Sequence, residues 1–248
     1  MKIVCYIQVL LFVIYSNVFS QAPNYLWAKS AGGTGTDAGY CCTTDASGNI
    51  IVVGGFASST ITFGTNTLTN TIGGTADIYI VKYDPNGNAL WARSVGGINL
   101  DAAYGCCIDA NNNIIVTGDF SSPSITFGTT TLTNTSTSFD IFVVKYDTNG
   151  NVIWAKGAGG TSSDVGKSCY ADANSNIIVA GTFSSPSFTL GTNTLTNANT
   201  GTTDIFITKY DSNGNVIWAK SSGGASNDYV YSCKTDASNN IVIAGHFN

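Results

Sequence analysis

The sequence predicts an all-β fold, a β-propeller built of four-stranded antiparallel blades, and three observations support this. A unit of about 64 residues recurs through the 248-residue chain, so about three and a half blades are present and the ring is incomplete. Each unit carries two hairpin signals, and two hairpins supply four strands. The chain has no Glu and is rich in Thr, Asn, Gly, Ile and Val, a composition that favours strands and tight turns over helices.

Four tryptophans mark the repeat, because each begins a Trp-Ala-Lys or Trp-Ala-Arg stretch. They follow one another at spacings of 64, 63 and 64 residues. The four are Trp27, Trp91, Trp154 and Trp218. We therefore predict a partial propeller over residues 21–248, with repeats starting near these tryptophans and the last repeat incomplete. The residues around Trp27 are expected to form a last strand that precedes the first full unit.

The first hairpin of each unit joins two apolar strands through a tight turn. In the first unit, residues 39–45 (GYCCTTD) lead through 45–49 (DASGN) into the apolar run 50–53. Asp and Asn close such a turn with hydrogen bonds from backbone amides to their side chains, and Gly or Asn tolerates its positive φ.

A Thr-rich segment and a second hairpin complete the unit. Residues 61–68 (ITFGTNTL) predict a short β-ribbon on one rim. Residues 77–83 (DIYIVKY) then turn through 84–88 (DPNGN) into 89–93 (ALWAR). Asn-Gly between β-rich flanks is the strongest short-range hairpin signal. A single four-stranded sheet cannot bury both of its faces, so neighbouring units must stack. A β-solenoid is the main competing fold.

The first twenty residues predict a cleavable signal peptide (1–20). Lys2 precedes a long apolar run, and Val18 and Ser20 supply small side chains where a signal peptidase cleaves. A membrane anchor is the alternative, but the run is interrupted by polar residues and is short for a span. We expect the mature chain to be secreted, extracellular or at the cell surface, without a membrane span.

Charge and acid placement argue against nucleic-acid binding and against catalysis. The net charge is −5 and no basic cluster is present, so we expect no nucleic-acid partner. All fifteen acids are Asp, and fourteen occupy repeat positions; only Asp119 falls outside the pattern, where we expect a surface loop. Lys167 and Lys234 are the irregular bases, and His246 is the single histidine. A catalytic site needs unlike groups that converge. The chain is therefore predicted not to be an enzyme, and we assign no catalytic, cofactor-binding or metal-binding residues and no cofactor.

Cysteine is the least ordinary feature of the composition. One cysteine occupies the same position in four successive first strands, and two more make vicinal pairs. A soft-metal or redox site is one interpretation, and packing of a small side chain between blades is the other, which we favour. The six cysteines that follow the predicted signal peptide allow fifteen pairings, and the sequence does not settle which disulfides form. The six are Cys41, Cys42, Cys106, Cys107, Cys169 and Cys233.

The Asp-x-Asn-Gly-Asn turns resemble the start of a calcium loop, since Asp84, Asn86 and Asn88 alternate oxygen-bearing side chains. The sixth position is not Gly, and no acid follows at the twelfth. We therefore interpret these residues as turn chemistry.

The units resemble the seven-bladed β-propeller (SBBP) repeats of exported bacterial proteins, especially of the Bacteroidetes type, over residues 24–248. The likeness rests on Asp-x7-Asp-x3-Asn-apolar-x-Val-x-Gly and on the second hairpin that follows. In the first unit its residues are Asp37, Asp45, Asn49, Val52 and Gly54, then 77–84, then Gly87, Asn88 and Trp91. Only three complete units are present, so we expect either a fragment of a longer reading frame or copies that self-associate through open blade edges.

The resemblance implies a non-catalytic, secreted or cell-surface repeat scaffold that binds a protein or another ligand. A carbohydrate-binding or adhesion module is the alternative, with exposed aromatic side chains such as Tyr229 stacking on sugar rings. A metal-binding or enzymatic propeller that uses the cysteine row is the second alternative. The partner, a protein or a glycan, is not identified by the sequence.

Overall fold

The structure, a computed structural model that describes residues 26–134, 136–236 and 238–248, contains three complete four-stranded antiparallel blades and the first hairpin of a fourth. The predicted signal peptide at 1–20 lies outside the described residues. Within the described ranges, there is no helix with the length and apolar character that membrane crossing requires.

Each complete blade has six strands, four in its sheet and two in a ribbon. Blade 1 comprises β1 (Asp37–Thr44), β2 (Ile50–Phe56), β3 (Thr60–Phe63), β4 (Asn66–Thr69), β5 (Asp77–Tyr83) and β6 (Ala89–Val95). Blade 2 comprises β7 (Asp101–Ile108), β8 (Ile114–Phe120), β9 (Ser124–Phe127), β10 (Thr130–Thr133), β11 (Asp140–Tyr146) and β12 (Val152–Ala158). Blade 3 comprises β13 (Asp164–Ala171), β14 (Ile177–Phe183), β15 (Ser187–Leu190), β16 (Asn193–Thr196), β17 (Asp204–Tyr210) and β18 (Val216–Ser222). The fourth blade begins with β19 (Tyr229–Thr235) and β20 (Ile241–His246).

The predicted hairpins are confirmed in every complete blade. In blade 1 the sheet order is β1-β2-β5-β6, so the two hairpins join through the pairing of β2 with β5, and β3 pairs with β4 as the predicted ribbon. The prediction of a strand around Trp27 is wrong, because residues 26–36 form no strand. A strand there needs a neighbouring third strand to pair with, and the described part of the chain offers none on that side.

Stacking of blades buries the apolar strands, as the thinness of a single sheet requires. One core cluster combines Val53 and Ile80 of blade 1 with Val116 and Phe142 of blade 2. Strand β11 in the middle blade is buried along its whole length, which fits a strand covered on both faces. The first strands β1, β7, β13 and β19 lie side by side as the inner strands of the propeller.

A hydrogen-bonded contact, which we call the latch, joins blade 1 to blade 2 and blade 2 to blade 3. Trp91 Nε1 and Lys82 Nζ of blade 1 both donate to the carbonyl oxygen of Thr148, in the β11–β12 turn of blade 2, at 3.2 and 3.3 Å. Lys82 also forms an ion pair with Asp45 at 2.9 Å. The latch therefore ties both hairpins of one blade to a turn of the following blade.

The latch recurs at the next junction. Trp154 Nε1 and Lys145 Nζ donate to the Ser212 carbonyl oxygen at 3.2 and 3.1 Å, and Lys145 pairs with Asp109 at 2.8 Å. Trp27 lies outside any strand, but its Nε1 donates to the Pro85 carbonyl oxygen at 2.9 Å, which is the same hydrogen bond that Trp91 and Trp154 make in the latch. The tryptophans thus lock blade to blade, which explains why the sequence repeats them so strictly.

Candidate functional site

Three equivalent crevices recur along the described chain, one between residues 29–30 and blade 1 and two between successive blades. Each lies between a basic residue next to a latch tryptophan and, in the following blade, the ribbon turn and the third strand. Their volumes are about 300, 390 and 330 Å³ along the chain. The first is lined by Lys29, Thr65, Tyr83 and Asn88, the second by Arg93, Thr129, Tyr146 and Asn151, and the third by Lys156, Thr192, Tyr210 and Asn215.

Local sequence explains how each crevice is framed. The tight turn of the ribbon places Gly128 at a φ of +60°, and the following Thr129 lines the rim. The Asn-Gly-Asn turn places Asn151 at the opposite side, after Gly150 at a φ of +78°. Glycine is the residue that adopts such φ values without strain. Tyr146, the last residue of β11, closes the floor.

The second crevice has an unsatisfied polar group. The Tyr146 side chain is buried, and its hydroxyl has no hydrogen-bond partner among the described residues. Burial raises the pKa of this phenol above its ordinary value, and the charge of Arg93 partly offsets the shift. The Tyr146 hydroxyl therefore stays protonated at neutral pH and is a donor without a partner in the described part of the chain, which is unfavourable for a buried polar group. Its oxygen is enclosed by protein, so a ligand oxygen has to displace neighbouring side chains to reach it. A ligand oxygen placed there would satisfy it.

Arg93 supplies a positioned positive charge beside that hydroxyl. Its Nη1 donates to the Ala92 carbonyl oxygen at 2.9 Å, and its guanidinium carbon lies 5.6 Å from the ring centroid of Trp91. These contacts hold the guanidinium while the side chain remains exposed. Charge-assisted hydrogen bonds to carboxylate are the interaction that arginine makes best. The crevice thus combines a cation, a phenol donor and polar rims suited to an acidic ligand group.

Apart from the three crevices, the inner strands frame a concavity of about 400 Å³ that is lined by the six cysteines of these strands. Cys106, Cys107, Cys169 and Cys233 are buried, whereas Cys41 is half-buried and Cys42 is exposed. This placement agrees with the packing interpretation for the buried four. Across the described ranges, no set of three or more His, Cys, Asp or Glu side chains is grouped as a metal site would require.

The Asp-x-Asn-Gly-Asn turns use their acids as hydrogen-bond acceptors. Asp84 Oδ1 accepts from the backbone amides of Asn86 and Asn88 at 2.8 Å, and Oδ2 accepts from Asn88 Nδ2 at 2.8 Å. The hydrogen bonds from Asn88 hold the pKa of Asp84 below its ordinary value. Both carboxylate oxygens are engaged in closing the turn, in accordance with the turn interpretation.

Two irregular charges of the sequence meet between blades 2 and 3. Asp119 lies in β8 with an exposure of 3%, so the expectation of a surface loop is wrong. Asp119 occupies the same strand position as Gly55 in blade 1 and Thr182 in blade 3, and both of these residues are buried. The repeat pattern in the sequence did not indicate that this position is buried. Lys167 of β13 lies near enough for its charge to act on Asp119, and its Nζ sits 4.3 Å from the ring centroid of Tyr104.

Asp119 makes stability depend on pH. Burial raises the pKa of Asp119 to about 7, Lys167 opposes the shift and Asp101 adds to it. Because the folded pKa exceeds the unfolded one, the stabilisation is present at low pH and is lost as pH rises through 7. Replacing Asp119 by Asn should therefore reduce the fall in unfolding free energy between pH 5 and pH 8 by about 1–2 kcal/mol. Urea titrations at the two pH values measure this.

A matched control is the Asp211→Asn variant. Hydrogen bonds from Asn215 lower the pKa of Asp211, so this acid stays ionised in the folded state throughout the same pH window. The control should leave the difference between pH 5 and pH 8 unchanged. Equal pH dependence in the Asp119→Asn variant and the unmodified protein would contradict the assignment.

His246, the single histidine, lies on the surface, where its Nε2 contacts Asn248 Oδ1 at 3.0 Å. Tyr229, which the sequence analysis expected to be an exposed aromatic, is half-buried in β19. The strongly exposed tyrosines are Tyr40 and Tyr231, at 53% and 63%. Sequence reasoning also missed the crevices. The sequence shows a recurring base after Trp-Ala and a recurring Tyr at the end of the third strand. It does not show that the base of one unit and the Tyr of the next unit line the same crevice.

Comparison with known proteins supports the propeller assignment. The chain is 36% identical over 152 residues to an uncharacterized WD repeat-containing protein of Acanthamoeba polyphaga mimivirus, a match that covers 56% of this chain and 11% of that protein. It is 25% identical over 178 residues to the regulatory protein FlaEY of Caulobacter vibrioides, covering 69% of this chain and 18% of that protein. The chain therefore spans only a small part of the length of these relatives. WD repeats form propeller blades of four strands, in agreement with the blades described above.

No protein-family description matches the chain. Among solved structures, a protein of unknown function from Bacteroides caccae aligns with a TM-score of 0.37 and 10% identity, over 78% of this chain and 64% of that one.

Proposed function

We propose that this propeller is a non-catalytic binding scaffold, secreted or at the cell surface, that holds acidic groups of a protein or glycan in its crevices. The observation that carries the proposal is the threefold recurrence of one crevice with the same chemistry, a base, a Thr, an Asn and a Tyr. Export and membership of the SBBP repeats are part of the proposal, and they rest on the N-terminal pattern of residues 1–20 and on the repeat motif.

Repetition matters because it favours ligands that are themselves repetitive. A single exposed base paired with one carboxylate contributes only about 0–1 kcal/mol. Three such contacts on one rigid scaffold act together, since binding at the first raises the effective concentration at the others. A polymer with regularly spaced carboxylates, such as an acidic polysaccharide or an acidic peptide segment, fits this arrangement.

A carbohydrate ligand is the second candidate, and the orphaned Tyr146 hydroxyl favours it. A donor next to Arg93 can bind the carboxylate of an acidic sugar while Thr129 and Asn151 bind neighbouring hydroxyls. The latch tryptophans do not serve this role, because their rings pack against turn glycines of the following blade. Sugar recognition would therefore be polar rather than based on stacking on tryptophan.

Calorimetric titration with polygalacturonate, with its methyl ester and with polyaspartate tests the proposal. We expect binding of an acidic polymer but not of the ester. Replacing Arg93 by Gln should weaken that binding about fivefold, roughly 1 kcal/mol, and a triple Gln variant at Lys29, Arg93 and Lys156 should weaken it more than about a hundredfold. Binding of polygalacturonate alone selects the glycan candidate.

Lys220→Gln is the matched control. Lys220 follows Trp218 at the same repeat position, but within the described residues the fourth blade has only its first hairpin, without the ribbon and third strand that line a crevice. The control should bind with unchanged affinity. An equal loss in Lys220→Gln and Arg93→Gln, or no binding of either acidic polymer, would exclude the crevices as the binding site.

A further inference from the structure

Neighbouring inner strands touch through two adjacent positions, which we call front and back. The front position is held by Cys41, Gly105, Ser168 and Ser232, and the back position, one residue later, by Cys42, Cys106, Cys169 and Cys233. Successive side chains of a strand point to opposite faces. Cys233 Sγ lies 3.5 Å from Oγ of Ser168 in the preceding blade, so back positions face the preceding blade and front positions face the following one.

The junction of blades 1 and 2 places two thiols in this relation. Cys41 is at the front position and Cys106 at the back position, 65 residues apart, as are Ser168 and Cys233. Cys41 Sγ lies 3.8 Å from the Cys106 carbonyl oxygen, and Cys41 packs against the core cluster that contains Cys106. The Cys106 side chain is near enough to the Cys41 thiol to lower its pKa. The arrangement makes the side chains of Cys41 and Cys106 face each other across the junction.

The junction of blades 2 and 3 makes a different but equivalent pair. Its front position is Gly105, which has no side chain to meet the back-position Cys169. Cys107, two residues later, points to the same face as Gly105 and takes the contact instead. Cys107 and Cys169 belong to one buried cluster, and the Cys107 thiol is near enough to raise the pKa of Cys169. Each of the two complete junctions therefore carries one pair of adjacent thiols.

We propose that Cys41 with Cys106, and Cys107 with Cys169, are two redox-active pairs that close as disulfides between blades, while Cys42 and Cys233 remain thiols. Among the six cysteines, these are the two pairs in which each bond joins facing side chains. Vicinal bonds between Cys41 and Cys42 are disfavoured because their side chains point to opposite faces of β1. Cys233 faces Ser168, which cannot form a disulfide.

A small-molecule disulfide such as oxidised glutathione is the oxidant that we assign. The Cys41 thiolate attacks one of its sulfurs, its S–S bond breaks, and a mixed disulfide forms with release of one thiolate. Cys106, after losing its proton to solvent, then attacks the Cys41 sulfur and releases the second thiolate. Both released thiolates take up protons. Each pair thus loses two electrons and two protons, and one oxidant disulfide becomes two thiols.

The environment makes Cys41 the attacking group. The hydrogen bond from Cys106 lowers the pKa of Cys41 to about 6, against the opposing effect of burial, so the thiolate predominates at pH 7. The hydrogen bond with Cys41 and burial both raise the pKa of Cys106. Cys41 is half-buried, whereas Cys107 and Cys169 are buried and a hydrogen bond with Cys107 raises the pKa of Cys169. The first pair should therefore close faster than the second.

Peptide mapping tests the pairing. The purified chain is incubated with oxidised glutathione, denatured in iodoacetamide and digested with trypsin without reduction. We expect peptides 30–82, 94–145 and 168–209 in one cross-linked species, with Cys42 and Cys233 alkylated. Cys106→Ser should release peptide 30–82 alone, and Cys107→Ser should release peptide 168–209 alone. Closing the two long loops should also raise Tm by about 8 °C or more relative to the reduced protein.

Ser168→Cys is the positive control, because it places a thiol opposite Cys233 at the third junction. A new cross-link between peptides 168–209 and 221–234 should appear only in this variant. Vicinal bonds, a cross-link to Cys233 in the unmodified chain, or full alkylation of all six cysteines after oxidation would each overturn the proposal. Failure of the Ser168→Cys cross-link would overturn the front-to-back geometry on which it rests. These outcomes do not depend on whether the crevices bind acidic polymers.

Discussion

Replacing Lys145 by Met should lower the free energy of unfolding by about 3–5 kcal/mol. The Lys145 ammonium lies 2.8 Å from Asp109 Oδ2 and 3.1 Å from the Ser212 carbonyl oxygen, and the side chains of the ion pair are 4% and 0% exposed. Removing the ammonium leaves a buried carboxylate without its counter-charge and removes one donor from the latch. Methionine retains the apolar stem, so the loss reports the charge rather than a cavity.

Lys209→Met is the matched control for this effect. Lys209 makes the same ion pair with Asp172 at 2.9 Å, but its side chain is 24% exposed. Water can therefore solvate the remaining carboxylate, and we expect a loss of about 1 kcal/mol. Urea unfolding followed by tryptophan fluorescence compares the two variants. A double variant, Lys145→Met with Asp109→Asn, should recover part of the loss, because no unpaired charge stays buried. Equal losses in the two single variants would show that burial of the pair is not the cause.

Protonation should weaken the same contact. Although burial acts in the opposite direction, hydrogen bonds from Lys145 and Asn113 hold the pKa of Asp109 below its ordinary value. An acid whose folded pKa is depressed stabilises the fold above its unfolded pKa, and the stabilisation is lost as pH falls through the folded value. Asp109 and Asp119 therefore have opposite effects on stability below pH 7: protonation of Asp109 lowers the free energy of unfolding, whereas protonation of Asp119 raises it.

Replacing Gly214 by Ala should lower the free energy of unfolding by about 3 kcal/mol, through two additive effects. Gly214 has a φ of +80°, in the left-handed region that an alanine adopts only with strain. A methyl carbon at this position would also lie 2.8 Å from Cδ2 of Trp154, whose ring packs on the turn. Displacing the indole would break its hydrogen bond to the Ser212 carbonyl oxygen, at 3.2 Å.

Gly201→Ala separates the two effects. Gly201 has a φ of +94°, yet a methyl group there would meet no atom within 4 Å. This variant carries only the backbone strain, and we expect a loss of about 1 kcal/mol. The difference between the two variants measures the packing of Trp154 on the turn. If Gly201→Ala destabilises the protein as much as Gly214→Ala, the tryptophan contact contributes little and the latch is weaker than we infer.

The blades were predictable because their signals are local. The Asp-x-Asn-Gly-Asn turns place Asp84, its hydrogen-bonded amides and Gly87 within five consecutive residues, so the contacts that close the turn are all local. Alternation and the 64-residue recurrence likewise need no knowledge of distant contacts, and they led to four-stranded blades that stack. A strand also needs a neighbour, which is why the pattern around Trp27 predicted a strand that the structure does not contain.

The candidate site and the cysteine pairs depend on contacts that no local pattern encodes. Lys145 meets Ser212 across 67 residues, and Cys41 meets Cys106 across 65. Which side chains face each other at those distances follows from how one blade rotates onto the next, so burial of Asp119 and the meeting of Arg93 with Tyr146 could not be read along the chain. The four-stranded blade follows from the sequence alone, because the contacts within a hairpin join residues that are close along the chain. The crevices and the cysteine pairs depend on the tertiary structure, because they form only where a blade packs on the segment or blade that precedes it.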